Sequence, residues 1–296
     1  MMPLRHLVPE DSARILLKLE YENPTGSMKD RMALAMVEAA EADGRLRPGG
    51  TVVEYTGGST GVSLAFVCAA RRIPLQIVTS DAFSREKRDH MAALGAQITL
   101  VPSPSGGTTR ELTLEMIETA RRIASAPGSF WTDQLHNLDQ LRAYDRMGVE
   151  IWEQTGGRLS AFVQSVGTSG SLRGTINRLR AFDPAVRAIA VEPEESAVLS
   201  GRPGGSHKIE GTGIGFVPPL WVPDLVDEIE TVSSREAMET ARLLAREEGI
   251  FAGTSTGANV AAALRLARRL GRDHTVVTVA VDSGMKYLST ALYKTD

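Results

Sequence analysis

A lysine stands in an electrostatically awkward place in the segment Asn23-Pro24-Thr25-Gly26-Ser27-Met28-Lys29-Asp30-Arg31. The Asn-Pro-Thr-Gly turn breaks the apolar run Ile15-Leu16-Leu17-Lys18-Leu19, which reads as a strand. Ser27 is placed as a helix N-cap, and Asp30 three residues on gives a capping-box-like pattern. The helix continues through Met32 to Val37, so Lys29 falls in its first turn. There the positive end of the helix dipole disfavours an ammonium by about 0.3–1 kcal/mol. A lysine so placed has its pKa pushed down, toward a neutral amine that can attack a carbonyl. The same residues also suit a surface lysine reaching into solvent, and this motif alone does not choose between the two.

Three glycine-rich turns offer anion sites. They are Thr56-Gly57-Gly58-Ser59-Thr60-Gly61, Gly167-Thr168-Ser169-Gly170-Ser171 and Gly253-Thr254-Ser255-Thr256-Gly257. Each joins a strand or loop to a helix, where free amides and the helix dipole favour negative charge. The second also brings three hydroxyls, as a phosphate dianion would require. No turn carries the Gly-Lys-Ser/Thr of a nucleotide-triphosphate loop or the Gly-x-Gly-x-x-Gly of a dinucleotide fold. A lysine poised for a carbonyl, together with separate anion sites, suggests a Schiff-base cofactor with its own phosphate. Pyridoxal 5′-phosphate fits that description.

These residues need a scaffold, and strand-like and helix-like segments alternate along the whole chain. Strands are expected at 51–55, 75–79 and 97–101, each followed by a helix, at about 60–71, 84–94 and 109–124. After a long amphipathic helix at 138–154 the pattern restarts. Strands are expected at 161–165 and 188–191 with a helix at 172–181 between them. Helices near 233–248 and 257–270 and a strand at 275–281 close the chain. Residues 200–223 are rich in Gly and Pro, and a loop that long in an α/β protein is usually functional. Repeated βαβ units predict parallel sheets with helices on both faces. The fold class is therefore α/β, two doubly wound parallel-sheet domains with a cleft between them, where ligands bind beyond the carboxyl ends of the strands.

Composition narrows the function classes. The chain has 296 residues, 42% hydrophobic and 23% charged, with a net charge of −3. That balance describes a soluble globular protein and argues against nucleic acid or an anionic membrane as a partner. No apolar targeting segment is expected at the N-terminus, and no apolar run is long enough to span a bilayer. The single cysteine, Cys68, reads as a buried, inert thiol in a reducing compartment, so a cytoplasmic location is expected. The five histidines are scattered and no cluster has metal-ligand spacing, so no metal is expected.

The Lys29 segment resembles the cofactor-lysine motif of the cysteine synthase (O-acetylserine sulfhydrylase) and cystathionine β-synthase family of fold-type II pyridoxal-phosphate enzymes. The stretch from Glu192 to Gly201, followed by His207-Lys208-Ile209-Glu210-Gly211-Thr212-Gly213-Ile214-Gly215-Phe216, is similar to one typical of cysteine synthases. Arg88 to Gly95 and Tyr287 to Thr290 also resemble the family, and the likeness runs from about Pro3 to Tyr293.

The resemblance implies a tryptophan synthase β-like fold. A smaller domain at 31–145 would carry the substrate loop, and a larger one at 1–30 plus 146–296 would bind the cofactor. Lys29 would hold pyridoxal 5′-phosphate and shuttle the α-proton. Gly167, Thr168, Ser169, Gly170 and Ser171 would cradle the phosphate, and Ser255 would meet the ring nitrogen. Thr56, Gly57, Gly58, Ser59 and Thr60, with Gln134 and Gly211, would bind substrate, and Ser59 also the cofactor. Gly57 and Ser59 depart from the family's usual serine and asparagine, which leaves room for a different substrate or loosens the loop.

The implied reaction is β-replacement on an O-activated serine, through an aminoacrylate, by sulfide or another small nucleophile. A serine/threonine dehydratase is an alternative on the same fold. A non-catalytic cofactor- or partner-binding homologue is another. A homodimer acting on a small amino acid is implied by the same resemblance.

Overall fold

The computed structural model describes residues 1–104 and 106–294. A six-stranded sheet is built from β1 (Met2–Pro3), β2 (Arg14–Leu19), β7 (Ala161–Ser165), β8 (Arg187–Pro193), β9 (Glu228–Val232) and β10 (Thr275–Ala280). Its spatial order is β1-β2-β10-β7-β8-β9. A four-stranded parallel sheet, ordered β5-β4-β3-β6, comprises β3 (Thr51–Tyr55), β4 (Leu75–Ser80), β5 (Gln97–Val101) and β6 (Ser129–Trp131). Apart from the short antiparallel β1, the larger sheet is also parallel. Two α/β units of parallel sheet result, as the repeated βαβ pattern predicts.

The helices that matter to the site are α1 (Lys29–Asp43), α2 (Ser59–Arg71) and α3 (Arg85–Ala93), followed by α4 (Arg110–Ala124) and α5 (Gln140–Thr155). The larger unit adds α6 (Gly170–Phe182), α7 (Ser234–Glu247) and α8 (Thr254–Leu270). None of the helices among the described residues is long and apolar enough to cross a membrane. Strands β6 and β9 lie outside the sequence expectation. The first has three residues, too few to show a period. The second reads Glu-Ile-Glu-Thr-Val and lies at a sheet edge. Its Glu228 and Glu230 pair with Arg269, which makes a charged strand stable.

β10 is the centre of the larger sheet, and its Val276, Val277, Val279 and Ala280 are fully buried. Two apolar clusters flank it, one against α8 and the other against α5 and α6. β2 joins β10 in parallel over six residues, from Arg14 against Thr275 to Leu19 against Ala280. The N-terminal chain therefore completes a sheet formed mostly by the second half of the protein.

An ion cluster staples β2 to α1 and α5. Lys18 Nζ donates to Glu150 at 2.5 Å, while Arg31 reaches Glu20 at 2.6 Å and Glu150 at 2.7 Å. Burial alone would raise the Glu150 pKa, but its bonds with Arg31 and Lys18 outweigh that and hold it at about 2. A depressed carboxylate pKa adds stability above the unfolded value, and that stability is lost as pH falls toward the folded one. The urea midpoint of the protein is thus expected to fall as pH drops from about 4.5 to about 2. Glu150→Gln should start lower at pH 7 and lose less over that window; equal acid slopes in the two proteins would refute the assignment.

Candidate active site

The turn after β2 leads straight into α1, and two contacts pin it to the end of β10. Met28 N–H donates to Val281 O at 2.9 Å, and Ser27 bridges Asp282. The expected capping box is not what forms. Ser27 Oγ accepts from the Lys29 amide at 3.2 Å, and Met28 occupies the cap position. Asp30 turns inward instead. It accepts from the Thr25 amide at 2.8 Å, Thr25 Oγ1 at 2.5 Å and Ser63 Oγ at 2.6 Å. It thereby ties the lysine turn to α2, because buried donors find a carboxylate a better partner than the helix end does.

Lys29 opens onto a cavity between the two sheets. That cavity is lined also by Thr56, Gly57, Gly58, Ser59, Thr60, Gln134, Gly167, Thr168, Ser171, Gly211 and Ser255. Twelve residues marked by the sequence are thus brought together. Ser169 and Gly170 stand behind the wall in the same turn. Ser169 adopts a left-handed φ of 72°, and a Cβ on Gly170 would lie 2.1 Å from Gln140 Oε1.

The Lys29 amine has no hydrogen-bond or ion-pair partner among the described residues. Burial lowers its pKa to about 8, with Lys87 and Lys286 pushing the same way and Asp282 opposing. The direction agrees with the sequence, but the cause is different: enclosure by protein leads, and the helix dipole does not. Ser255 Oγ, at the start of α8, is likewise unpartnered. The amides of Thr168 and Ser169 donate to nothing among the described residues, leaving free donors at the N-terminus of α6. Gly167 packs so closely on Gly211 that a Cβ there would lie 2.3 Å from the Gly211 carbonyl oxygen.

The 56–61 turn is neither roomy nor loose. Thr56 Oγ1 accepts from the Gly58 amide at 2.9 Å and the Gly61 amide at 3.3 Å. The Phe83 ring fills the space beside Gly57, 3.0 Å from where a Cβ would sit. Gly58 has φ 129°, which a side chain tolerates badly, and a Cβ would strike Lys87. Thr60 donates to Gln134 at 2.9 Å, and Gln134 donates to Tyr55 O at 2.7 Å. Behind them Glu54 accepts from Thr132 at 2.6 Å and from the Gln134 amide at 2.9 Å. Burial pushes the Glu54 carboxyl up to about 7, against those hydrogen bonds.

Two neighbours, Asp282 and Lys87, were not singled out by the sequence, and two more, Tyr287 and Glu210, entered there only within stretches that resemble the family. Ser59 donates to Asp282 at 2.9 Å, so its hydroxyl faces protein rather than open cavity. Tyr287 OH donates to the same carboxylate at 2.8 Å and receives Lys87 Nζ at 3.0 Å. Lys87 also pairs with Glu210 at 2.7 Å. This chain of bonds links α2 and α3 to the end of β10 and to the 207–216 loop. Asp282 lies two residues beyond the end of buried β10, a position that could have marked it. Lys87 sits in a polar helix and gives no such signal.

His207 holds its own loop, with Nε2 against Gly213 O at 2.7 Å. His136 is a surface partner of Asp133. Cys68 is buried in α2, and burial pushes its thiol up to about 12. No group of three metal-binding side chains gathers among the described residues.

Comparison with known proteins adds a second kind of observation. The profile of the family described as pyridoxal-phosphate dependent enzyme matches residues 1–282. A cysteine synthase of Staphylococcus aureus is 41% identical over 295 residues, covering 99% of this chain and 93% of the relative. Among solved structures, the cysteine synthase of Entamoeba histolytica superposes with a TM-score of 0.91 at 35% identity, over 99% of this chain and 87% of that one. A mutant O-ureido-L-serine synthase with O-ureido-L-serine bound gives 0.92 at 36% identity, over 99% and 90%.

The amine chemistry can be checked without any cofactor. Acylation of Lys29 by a limiting reagent, followed residue by residue in a mass spectrometer, should rise with a midpoint near pH 8. A midpoint near that of exposed lysines, about 10.4, would overturn the assignment.

Proposed function

The chain belongs to the pyridoxal-phosphate dependent enzymes, and we propose that it replaces the β-substituent of an O-activated serine, such as O-acetylserine, with sulfide or another small nucleophile. The observation that carries this reading is the unpartnered Lys29 amine in a cavity that also presents two glycine turns and Ser255. The residues fit the cofactor the family requires. Free amides at the N-terminus of α6 suit a phosphate, and the tight Gly167–Gly211 contact leaves the wall smooth. When bound, the cofactor supplies an aldehyde for amines to condense with and a ring that draws electron density from the α-carbon.

The chain's own groups do the rest. Lys29 would hold the aldehyde carbon and, once free, take and return the α-proton. A pKa of about 8 leaves roughly a tenth of it neutral at pH 7, against about 0.03% for an ordinary lysine. Gly167 to Ser171 would hold the phosphate. Ser255 would offer the ring nitrogen a hydrogen bond but no negative charge, which favours loss and replacement of a β-substituent over transamination. Thr56 to Thr60 and Gln134 would fix the substrate carboxylate, with Gly211 across the cavity. Phe83, Met116 and Ile214 line the same space and limit water.

The relatives just described are named for synthesis, which supports replacement over plain β-elimination. The free Lys29 and Ser255 side chains support an enzyme over a silent binding protein. We assign residues 31–145 to the smaller domain and 1–30 with 146–296 to the larger. The family resemblance extends the reading to a cytoplasmic homodimer.

Protein reconstituted with pyridoxal 5′-phosphate should show a visible absorption band, and Lys29→Ala should lose it. Adding O-acetylserine alone should shift the band, and adding sulfide should restore it with release of cysteine. A colourless wild type, or a band indifferent to O-acetylserine, would refute cofactor or substrate respectively. Pyruvate released from serine at a comparable rate without any thiol would favour the dehydratase instead.

A further inference from the structure

One buried hydroxyl in the wall of the Lys29 cavity has no partner. Tyr144, on α5, lines that cavity together with Met28, Thr168 and Ser171, and is 1% exposed. Its OH makes no hydrogen bond among the described residues. Buried phenols normally find a partner, and an unmet one costs stability. Packing gives no reason for the oxygen. The ring lies in a core cluster with Met28, Met32, Leu172 and Ile176, which a phenylalanine would join equally well.

The charged groups around it are already engaged. Asp30 accepts from Thr25 and Ser63, while Glu20 and Arg31 hold each other. Burial leads in raising the Tyr144 pKa, with Glu20 and Asp30 adding and Arg31 opposing, so the phenol keeps its proton. It stands as a neutral donor without an acceptor.

Its place on α5 points to which acceptor is missing. Gln140 stands one turn earlier on the same face and backs the 167–171 turn, where Thr168 Oγ1 donates to Gln140 Oε1 at 3.1 Å. Gly174 lets α6 come so near that a Cβ there would lie 2.8 Å from Tyr144 Cβ. The phenol is thereby set against the helix whose N-terminus carries the free amides of Thr168 and Ser169. An anion held by those amides has oxygens to spare for a further donor. We propose that Tyr144 is a further cofactor-binding residue, whose hydroxyl donates to the phosphate of pyridoxal 5′-phosphate. The inference rests on the reading that Gly167 to Ser171 hold that phosphate, and it adds a side-chain donor from a different helix.

The test titrates the full-length protein, stripped of cofactor, with pyridoxal 5′-phosphate and with pyridoxal, which lacks the phosphate, and reads the visible band. Tyr144→Phe should weaken binding of the phosphorylated form by about 10-fold, the scale of one hydrogen bond to a charged group, and leave that of pyridoxal within about twofold. Without cofactor, the urea midpoint of Tyr144→Phe should equal or exceed that of the wild type, because an unmet hydroxyl has been removed. Equal losses for the two ligands, no loss for either, or a lower urea midpoint without cofactor would overturn the proposal. A wild type that binds the two ligands alike would remove the phosphate reading itself, and the proposal with it.

Discussion

The parallel pairing of β2 with β10 is the constraint on which the site depends. It takes a strand from the first twenty residues and sets it beside one from the last twenty-five, in a register that runs from Arg14 to Leu19. The turn that follows β2 must then emerge at the carboxyl end of β10, and β7 lies on the other side of β10. Three neighbouring strand ends thus deliver the Lys29 turn, Asp282 and the 167–171 turn to one place. Open α/β sheets bind ligands there because strand ends and helix N-termini converge. The Lys18–Glu150–Arg31–Glu20 cluster holds this arrangement with mixed charges that are partly shielded from water.

Electrostatics in and around the cavity are divided unevenly between three lysines and two acids. Lys87 takes Glu210 and lies 3.9 Å from Asp282, while Asp282 also accepts from Ser59 and Tyr287. Burial and the charges of Lys87 and Lys286 outweigh the pull of Asp282 on Lys29, and so keep its amine partly neutral. Lys286, buried with its Nζ unpartnered, is lowered to about 8 by burial as well. The network that consumes the acids also ties α2 and α3 to the larger sheet. Positioning and tuning of Lys29 therefore come from the same set of contacts.

Close approach is the second recurring theme. Gly57, Gly58 and Gly167 each sit where a Cβ would meet another group within 3.0 Å. The departures at Gly57 and Ser59 look from sequence like lost reach and added room. In the fold, Phe83 occupies the room beside Gly57, and Ser59 spends its hydroxyl on Asp282. The substrate turn is instead held from behind, through Thr56, Gln134 and the buried Glu54.

Local sequence determined a good deal by itself. The βαβ alternation, the glycine turns and the lysine after a strand each follow from periodicity or backbone freedom over a few residues, and those are properties a segment carries with it. Ten of the twelve marked residues in the cavity belong to those segments, while Gln134 and Gly211 were implied by the family resemblance alone. Strands β6 and β9 escaped because one is too short to show a period and the other is charged and stabilised by arginines far along the chain. Tertiary structure alone decided the inward turn of Asp30, the burial that tunes Lys29, and the roles of Lys87, Tyr287 and Asp282. Those depend on contacts across tens to hundreds of residues, where desolvation and pairing outweigh the dipole of a single helix.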